Sequence, residues 1–253
     1  MYEHFREEER PFIDHIQTLR EQATRYHQEK LTGFLDPRMQ EVAKSVIGQD
    51  GEIDLQFFGG ADGCERKRAS IRPAYLKNEP IDWDISLFKA AYANKFVTLT
   101  HRDVLGALMN TGMKRETFGD ISVTDNAFYV ACTKEASAYI AIALKQVGKA
   151  TVTLEETDTL DLPDEKWEEK PVTVSSLRLD ALLSALYGLS RAKAADLIGK
   201  GLVKVNWKVV EHPRFRVAIG DDLSVRGAGR AKVLKQEGVT KKDKYRLVLG
   251  KKS

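Results

Sequence analysis

The chain has 253 residues, of which 42% are hydrophobic and 30% are charged. This length predicts about one to three domains, and the composition is typical of a globular protein rather than of a disordered or membrane chain. No segment approaches the roughly 18 apolar residues that a membrane-spanning helix needs, and the N-terminus is charged where a secretion signal would be apolar. We therefore expect a cytoplasmic protein with no membrane partner.

The formal net charge of +3 conceals two halves of opposite sign. Residues 171–253 contain 18 Lys and Arg against 7 Asp and Glu, a net charge of +11. Residues 1–170 contain 22 against 30, a net charge of −8. A basic module joined to an acidic body is typical of proteins that bind a polyanion such as RNA, DNA or an anionic membrane.

Residues 1–80 are predicted to form a mixed α/β unit. Apolar residues three or four apart predict a first helix between Phe12 and Tyr26. Asp36 followed by Pro37 predicts the start of a second helix, because Asp caps helices well and Pro fits their first turn. Extended segments are predicted at residues 53–58 and 66–71.

Residues 81–155 are predicted to form a second, RRM-like or ferredoxin-like domain. The predicted elements are a strand at 84–91, a helix at 102–109, strands at 121–124 and 127–132, a helix at 134–147 and a strand at 150–154. This βαββαβ order is that of the split-βαβ domains. An RRM stacks RNA bases on aromatic residues of its central strands. Only Phe128 and Tyr129 offer such residues here, and we predict that both pack in the core instead.

Residues 156–172 are rich in acidic residues and are predicted to be a solvated linker, with an acidic surface loop as the alternative. Residues 173–253 follow as a third domain. Four leucines between Leu179 and Leu186 predict a short helix, and Ser190 is placed to cap a second helix that ends at Gly201. Short strands are predicted at 202–206, 208–210, 215–217 and 223–225, before a basic tail at 241–253.

No pattern predicts a catalytic residue, a cofactor or a metal site. His101-Arg102-Asp103 resembles the start of a kinase catalytic loop, but Leu108 stands where that loop needs Asn. The glycine-rich segments lack the remaining residues of phosphate-binding loops, and the histidines lack metal-ligand spacing. The two cysteines, Cys64 and Cys132, are too few for a disulfide framework, so we expect both to be reduced and buried.

The cations of the C-terminal module fall on one side of its two predicted helices. Arg178 opens the first helix, Arg191 opens the second, and Lys193 and Lys200 share a stripe opposite the apolar face. Long charged side chains at such spacing suit phosphate contacts, and Arg adds a fork of two donors. We predict a nucleic-acid-binding surface here, with a solvated cationic face as the alternative.

Residues 176–229 resemble the S-four RNA-binding domain, which is named after a small-subunit ribosomal protein. The matching residues are Arg178-Leu179-Asp180, Ser190-Arg191, Ala194, Ile198, Gly201, Val203, Val205-Asn206 and Gly220-Asp221. Trp207 departs from the pattern, because many members have Gly after Asn. The resemblance implies that the helices and the following loop bind structured RNA, and that Asp180 has a structural role. The RNA-binding candidates that it implies are Arg178, Ser190, Arg191, Lys193, Lys200, Lys204, Asn206 and Lys208.

The whole chain resembles the YlmH family of bacterial proteins, whose genes lie near cell-division genes. The matching residues are Phe58-Gly59-Gly60, Glu65 to Ala69, Leu99 to Leu108, Arg115 and Gly119-Asp120-Ile121. The resemblance implies an α+β protein with a small N-terminal domain, an RRM-like middle domain and a C-terminal S-four domain. It also implies a ribosome-associated role in quality control. The implied partners are the large ribosomal subunit with its rRNA, a stalled peptidyl-tRNA, and the factor that adds alanine to the nascent chain.

Two other classes of function stay open at this point. S-four domains also precede the catalytic domains of pseudouridine synthases and rRNA methyltransferases, and the family's gene neighbourhood leaves a cell-division scaffold or a DNA-binding protein. The lack of a cofactor pattern in residues 1–170 favours a non-catalytic RNA-binding factor. Within this acidic half, Arg66, Lys67 and Arg68 form a basic cluster, which we predict to be an auxiliary rRNA or tRNA contact. A solvated turn is the alternative.

Overall fold

The computed structural model describes residues 5, 7–48, 51–93, 97–162 and 167–252. The chain divides into two compact units, Met1–Pro163 and Asp164–Ser253. Both units combine helices with antiparallel sheet, which confirms the predicted α+β class. The predicted segments 1–80 and 81–155 both lie in the first unit. In the described part of the chain no helix is long and apolar enough to cross a membrane.

The N-terminal part of the first unit packs two helices on a three-stranded antiparallel sheet. Its elements are α1 (Arg10–Tyr26), β1 (Lys30–Leu35), α2 (Pro37–Ile47), β2 (Ile53–Phe58) and β3 (Lys67–Pro73), with 3-10 helices at Glu7–Glu9 and Ala74–Leu76. The sheet order is β1-β3-β2. Asp36 caps α2 by accepting a hydrogen bond from the Met39 amide, and Pro37 takes the first turn, as predicted. The sequence pattern of residues 30–35 did not predict β1.

The second part of the first unit has the predicted βαββαβ order. Its elements are β4 (Ile85–Ala91), α3 (His101–Met109), a 3-10 helix (Arg115–Thr117), β5 (Phe118–Val123), β6 (Ala127–Thr133), α4 (Lys134–Ala143), β7 (Gln146–Val147), β8 (Ala150–Thr151) and β9 (Glu155–Glu156). The four-stranded antiparallel sheet has the order β5-β6-β4-β9. This order is the one that a split-βαβ connection produces.

The last helix and strand of this order differ from the prediction. α4 ends at Ala143 rather than at residue 147, and β8 pairs with β7 in a small hairpin instead of joining the main sheet. Gly148, with φ of 57°, forms the hairpin turn at a backbone conformation that glycine adopts without strain. β9 therefore supplies the fourth strand of the sheet.

The second unit packs two helices on one six-stranded antiparallel sheet. Its elements are β10 (Trp167–Val174), α5 (Leu179–Tyr187), α6 (Arg191–Gly199), β11 (Val203–Val205), β12 (Lys208–Val209), β13 (Asp222–Val225), β14 (Gly229–Val239) and β15 (Tyr245–Lys252). The sheet order is β10-β15-β14-β13-β11-β12. The predicted leucine face of α5 is buried against the sheet, together with Ala194 and Ile198 of α6.

Three predictions for this region need correction. The predicted linker 156–172 is partly regular structure, because Glu156 lies in β9 and residues 167–172 lie in β10, while residues 163–166 are outside the described residues. The predicted tail 241–253 contains β15, whose buried Leu247 and Leu249 complete the core. The predicted strand at 215–217 is only a single bridge between Arg178 and Arg216. Acidic residues misled the first prediction, since an edge strand accommodates exposed charge.

Candidate nucleic-acid interface

The start of α6 is fixed by the side chain of Ser190. Its hydroxyl accepts a hydrogen bond of 3.1 Å from the Lys193 amide, so Ser190 is the helix cap that the sequence predicts. Gly188 ends α5 in the left-handed conformation and allows the short connection to α6. This geometry places Arg191 and Lys193 in the exposed first turn of α6.

A buried carboxylate links the first turns of the two helices. Asp180, with a side chain only 6% exposed, accepts hydrogen bonds from Arg178 Nε at 3.1 Å and Nη2 at 2.8 Å, and from Arg191 Nη2 at 2.9 Å. Burial by itself would raise the pKa of Asp180, but the hydrogen bonds and charges of the two arginines outweigh it and lower that pKa. Asp180 thus has the structural role that the resemblance implied.

Both arginines keep part of their surface open to solvent. The side chain of Arg178 is 35% exposed and that of Arg191 is 45% exposed. A guanidinium carries five N–H donors. The bonds to Asp180 use two donors of Arg178 and one of Arg191. Asp180 therefore orients both groups while leaving donors that a phosphate could accept from.

The predicted lysines lie on three elements of the same unit. Lys193 is in the first turn of α6, while Lys204 and Lys208 lie on the β11–β12 hairpin, and all three are exposed. Lys200 is also exposed, but its Nζ pairs with Asp196 Oδ2 at 2.7 Å. The other three lysines have no carboxylate partner among the residues that the structure describes.

Asn206 and Trp207 form the two-residue turn between β11 and β12. Both residues have positive φ, 47° and 61°, as the first type of mirror-image hairpin turn requires. Asn206 Nδ2 donates to Asp221 Oδ1 at 2.8 Å, and Asn206 Oδ1 accepts from the Asp222 amide at 2.9 Å. The turn is as tight as one with Gly after Asn, and both ends of the Asn206 amide serve the turn.

Two exposed arginines that are not among the predicted RNA-binding candidates lie beside the start of α5. The amides of Leu179 and Asp180 donate to the carbonyls of Phe215 and Pro213, which brings Arg214 and Arg216 next to this end of the helix. Arg214 and Arg216 are only two residues apart in a basic module, so the sequence alone could have suggested them as further RNA-binding candidates. They extend the group of cations around Arg178.

The cluster of Arg66, Lys67 and Arg68 is mostly built into the first unit. Arg68 is 8% exposed, and its guanidinium donates to the carbonyls of Thr32, Trp83 and Asp84. Arg66 donates to the carbonyls of Phe34 and Phe118. Burial lowers the pKa of both arginines. The predicted RNA contact therefore does not suit Arg68, which is buried and bonded to three carbonyls, and it remains a prediction for Lys67 and for the partly buried Arg66.

The sheet face that RRM domains use for base stacking is covered in this protein. Tyr129 and Ala131 of β6 pack on that face against Phe34 and Cys64 of the N-terminal part and against Leu160. Phe128 points to the opposite face and is fully buried under the helices. The prediction that Phe128 and Tyr129 pack in the core is confirmed.

Several residues that carried the family resemblance hold the two parts of the first unit together. Asp120 accepts hydrogen bonds from the backbone amides of Glu65 and Arg66 at 2.6 and 3.0 Å. Burial raises the pKa of Asp120 despite these bonds. At Gly119, a Cβ atom would lie 2.7 Å from the Phe34 ring, so the contact requires glycine. These positions build a junction rather than a binding surface.

The described residues contain no group of three or more His, Cys, Asp or Glu side chains that could hold a metal ion. Cys64 and Cys132 are free and buried. Burial raises the pKa of these thiols to about 11 and about 12. Neither thiol is therefore an activated nucleophile at neutral pH.

The fold and the cationic surface define an RNA-binding protein with a C-terminal S-four domain. The family model "Putative RNA-binding domain in YlmH" matches residues 79–161, and the S4 domain model matches residues 177–223. The chain is 46% identical over 249 residues to the "Ribosome-associated protein quality control protein P2" of Bacillus subtilis (strain 168), covering 98% of this chain and 96% of that protein. The chain belongs to this family, the YlmH family.

Two further comparisons cover smaller parts of the chain. The structure of the "Cell division protein ylmH from Streptococcus pneumoniae" matches with a TM-score of 0.53 and 29% identity, over 64% of this chain and 99% of that one. An "Uncharacterized RNA pseudouridine synthase" of Aquifex aeolicus (strain VF5) is 43% identical over 51 residues, which are 20% of this chain and 21% of that protein. So short a match assigns no catalytic domain to this chain.

Proposed function

We propose that this protein is a non-catalytic factor of ribosome-associated quality control. It binds the large ribosomal subunit through rRNA and peptidyl-tRNA, and it supports the addition of residues to the C-terminus of the stalled nascent chain. The quality-control name of the 46% identical relative supports this role. The observation that carries the proposal is the group of exposed cations at the starts of α5 and α6, oriented by the buried carboxylate of Asp180.

The arrangement suits phosphate binding for a physical reason. An arginine that is already held in place loses less side-chain entropy when it binds, so more of the phosphate interaction appears as affinity. Asp180 provides this restraint for Arg178 and Arg191, while Lys193, Lys204 and Lys208 add charge that no described carboxylate neutralises. Structured rRNA is the ligand that this unit would bind.

The first unit has a different task in this proposal. Residues 1–163 contain 20 Lys and Arg against 26 Asp and Glu, a net charge of −6, which disfavours a close approach to rRNA. We assign to the first unit the second contact, with the tailing factor, because tRNA carries the same phosphate charge as rRNA; the peptidyl-tRNA is left to the cationic second unit. Linking two weak contacts in one chain raises the effective concentration of the second.

The test is affinity purification of the tagged full-length protein from cells. We expect large subunits that retain peptidyl-tRNA, and we expect Arg191→Gln with Lys193→Gln to abolish most of this recovery. Lys134→Gln with Lys149→Gln is the matched control, since it removes two exposed cations from the first unit. Recovery of small subunits or of DNA without enrichment of large subunits would contradict the proposal, and recovery of DNA would favour the alternative of a DNA-binding protein.

A further inference from the structure

Most of the excess positive charge of the second unit lies outside its S-four segment. Residues 171–225 contain 8 Lys and Arg against 5 Asp and Glu, a net charge of +3. Residues 226–253 contain 10 against 2, a net charge of +8. The S4 domain match ends at residue 223, and the later residues form the β14–β15 hairpin. The resemblance to S-four domains therefore does not explain the positive charge of this hairpin.

The end of the hairpin projects beyond the core as an ordered arm. The last pair of buried positions shared by β14 and β15 near this end is Val233 with Leu249, and beyond it only the β15 side stays in the core, through Val248, Leu247 and the partly buried Tyr245. At the tip, the Thr240 hydroxyl accepts from the amides of Lys242 and Lys244, and the Thr240 amide donates to the Lys244 carbonyl. Tyr245 pairs with the buried Val174 and packs against the core, so only the tip at residues 240–244 extends beyond it, by roughly 7–10 Å at about 3.4 Å per residue.

Four cations at the tip of this arm and at its base have no carboxylate partner among the described residues. Lys241, Lys242, Lys244 and Arg246 are exposed, and none of them pairs with a carboxylate in the described ranges. On the helices, by contrast, Asp180 neutralises part of the charge of two arginines and Asp196 pairs with Lys200. The arm thus presents the less compensated of the two cationic surfaces.

The arm and the helix starts lie at the same end of the second unit. Tyr245, at the base of the tip, pairs with Val174, and only three residues separate Val174 from Arg178. Four residue steps span at most about 14 Å, and paired strands are about 5 Å apart, so Tyr245 and Arg178 are within roughly 20 Å. One RNA molecule can reach both surfaces over a few nucleotides.

We propose that the tip of the β14–β15 hairpin is a second phosphate-binding surface, which contacts the RNA backbone next to the segment bound by α5 and α6. The proposal rests on the RNA-binding function proposed above and adds a distinct site to it. Recognition is electrostatic rather than base-specific, because the tip residues 240–244 include no aromatic side chain for stacking. The arm raises affinity while the helices fix the position of the RNA.

The experiment compares three full-length variants with the wild type for binding to purified large ribosomal subunits over a series of KCl concentrations. The arm variant is Lys241→Gln, Lys242→Gln and Lys244→Gln. The helix variant is Arg191→Gln with Lys193→Gln. The control is Lys77→Gln, Lys134→Gln and Lys149→Gln, which removes the same charge from exposed positions of the first unit. Vesicles of phosphatidylglycerol are the second probe.

Each phosphate contact contributes roughly 0.7–0.9 to the slope of log affinity against log salt, so the arm variant should lower this slope by about two to three. The control should keep the wild-type slope. An unchanged slope for the arm variant, with a reduced one for the helix variant, would overturn the arm and leave the proposed function intact. An equal decrease of the slope in the control would mean that only the net charge of the protein matters, and it would overturn the proposed phosphate-binding site on the arm. Loss of binding to vesicles alone would identify the arm as a lipid contact and reject the RNA site, whereas failure of the wild type to bind the subunit would reject both proposals.

Discussion

Replacing the buried carboxylate of Asp180 with an amide tests whether this residue holds the S-four helices together. The change Asp180→Asn keeps the shape but removes the charge that accepts three hydrogen bonds from Arg178 and Arg191. Charge-assisted hydrogen bonds contribute about 1.5–3 kcal/mol each when buried. The two arginines are more than one-third exposed, so solvent reduces each contribution toward the surface range of about 0–1 kcal/mol. We expect a total loss of about 1–3 kcal/mol.

The assay is thermal unfolding of residues 164–253, a unit with a hydrophobic core of its own. For a domain of this size, the expected loss lowers the Tm by about 5–15 °C. Asp196→Asn is the matched control, because its partner Lys200 and Asp196 itself are both exposed, and its Tm should change by less than about 3 °C. Equal Tm values for Asp180→Asn and the wild type would refute the structural role of Asp180.

The pH dependence of the Tm is a second, independent test of the role of Asp180. The pKa of Asp180 is lowered in the folded protein, so its contribution to stability is complete above the unfolded value of about 3.9. This contribution is lost as the pH falls through the lowered pKa, because Asp180 is then protonated and neutral, like the asparagine of the variant. The Tm difference between wild type and Asp180→Asn should therefore be full at pH 7 and narrow below about pH 4.

Three further predictions concern the hairpin turn, the buried arginine and the cysteines. In urea unfolding of residues 164–253, Asn206→Ala should lower the free energy of unfolding by about 2–3 kcal/mol, because it removes two hydrogen bonds and strains a residue with positive φ. Asn206→Gly should lower it by about half as much, because glycine adopts this φ without strain. Arg68→Met should destabilise the first unit by about 3–5 kcal/mol, because it leaves three carbonyls without donors. If this variant instead lost RNA affinity with unchanged stability, Arg68 would be an RNA contact after all. Cys64 and Cys132 should resist a thiol reagent at pH 8 in the folded protein and react in urea, since burial raises their pKa values to about 11 and about 12.

Local patterns in the sequence are sufficient for the elements whose causes are local. The cap of α2 by Asp36, the cap of α6 by Ser190 and the apolar face of α5 depend on residues a few positions apart, and the structure contains all three. The order βαββαβ follows from the succession of such elements. The charge of the C-terminal module is likewise a property of composition, and it predicts the unit that binds a polyanion.

Tertiary structure alone decided the features that depend on distant partners. The acidic segment containing Glu168 and Glu169 is a strand because β15 pairs with it, and β15 is a strand because Leu247 and Leu249 close the core. Arg68 is a buried structural residue because its guanidinium meets the carbonyls of residues 16 and 36 positions away. Charge and periodicity along the chain contain no information about such partners, since burial is set only when separate segments come together.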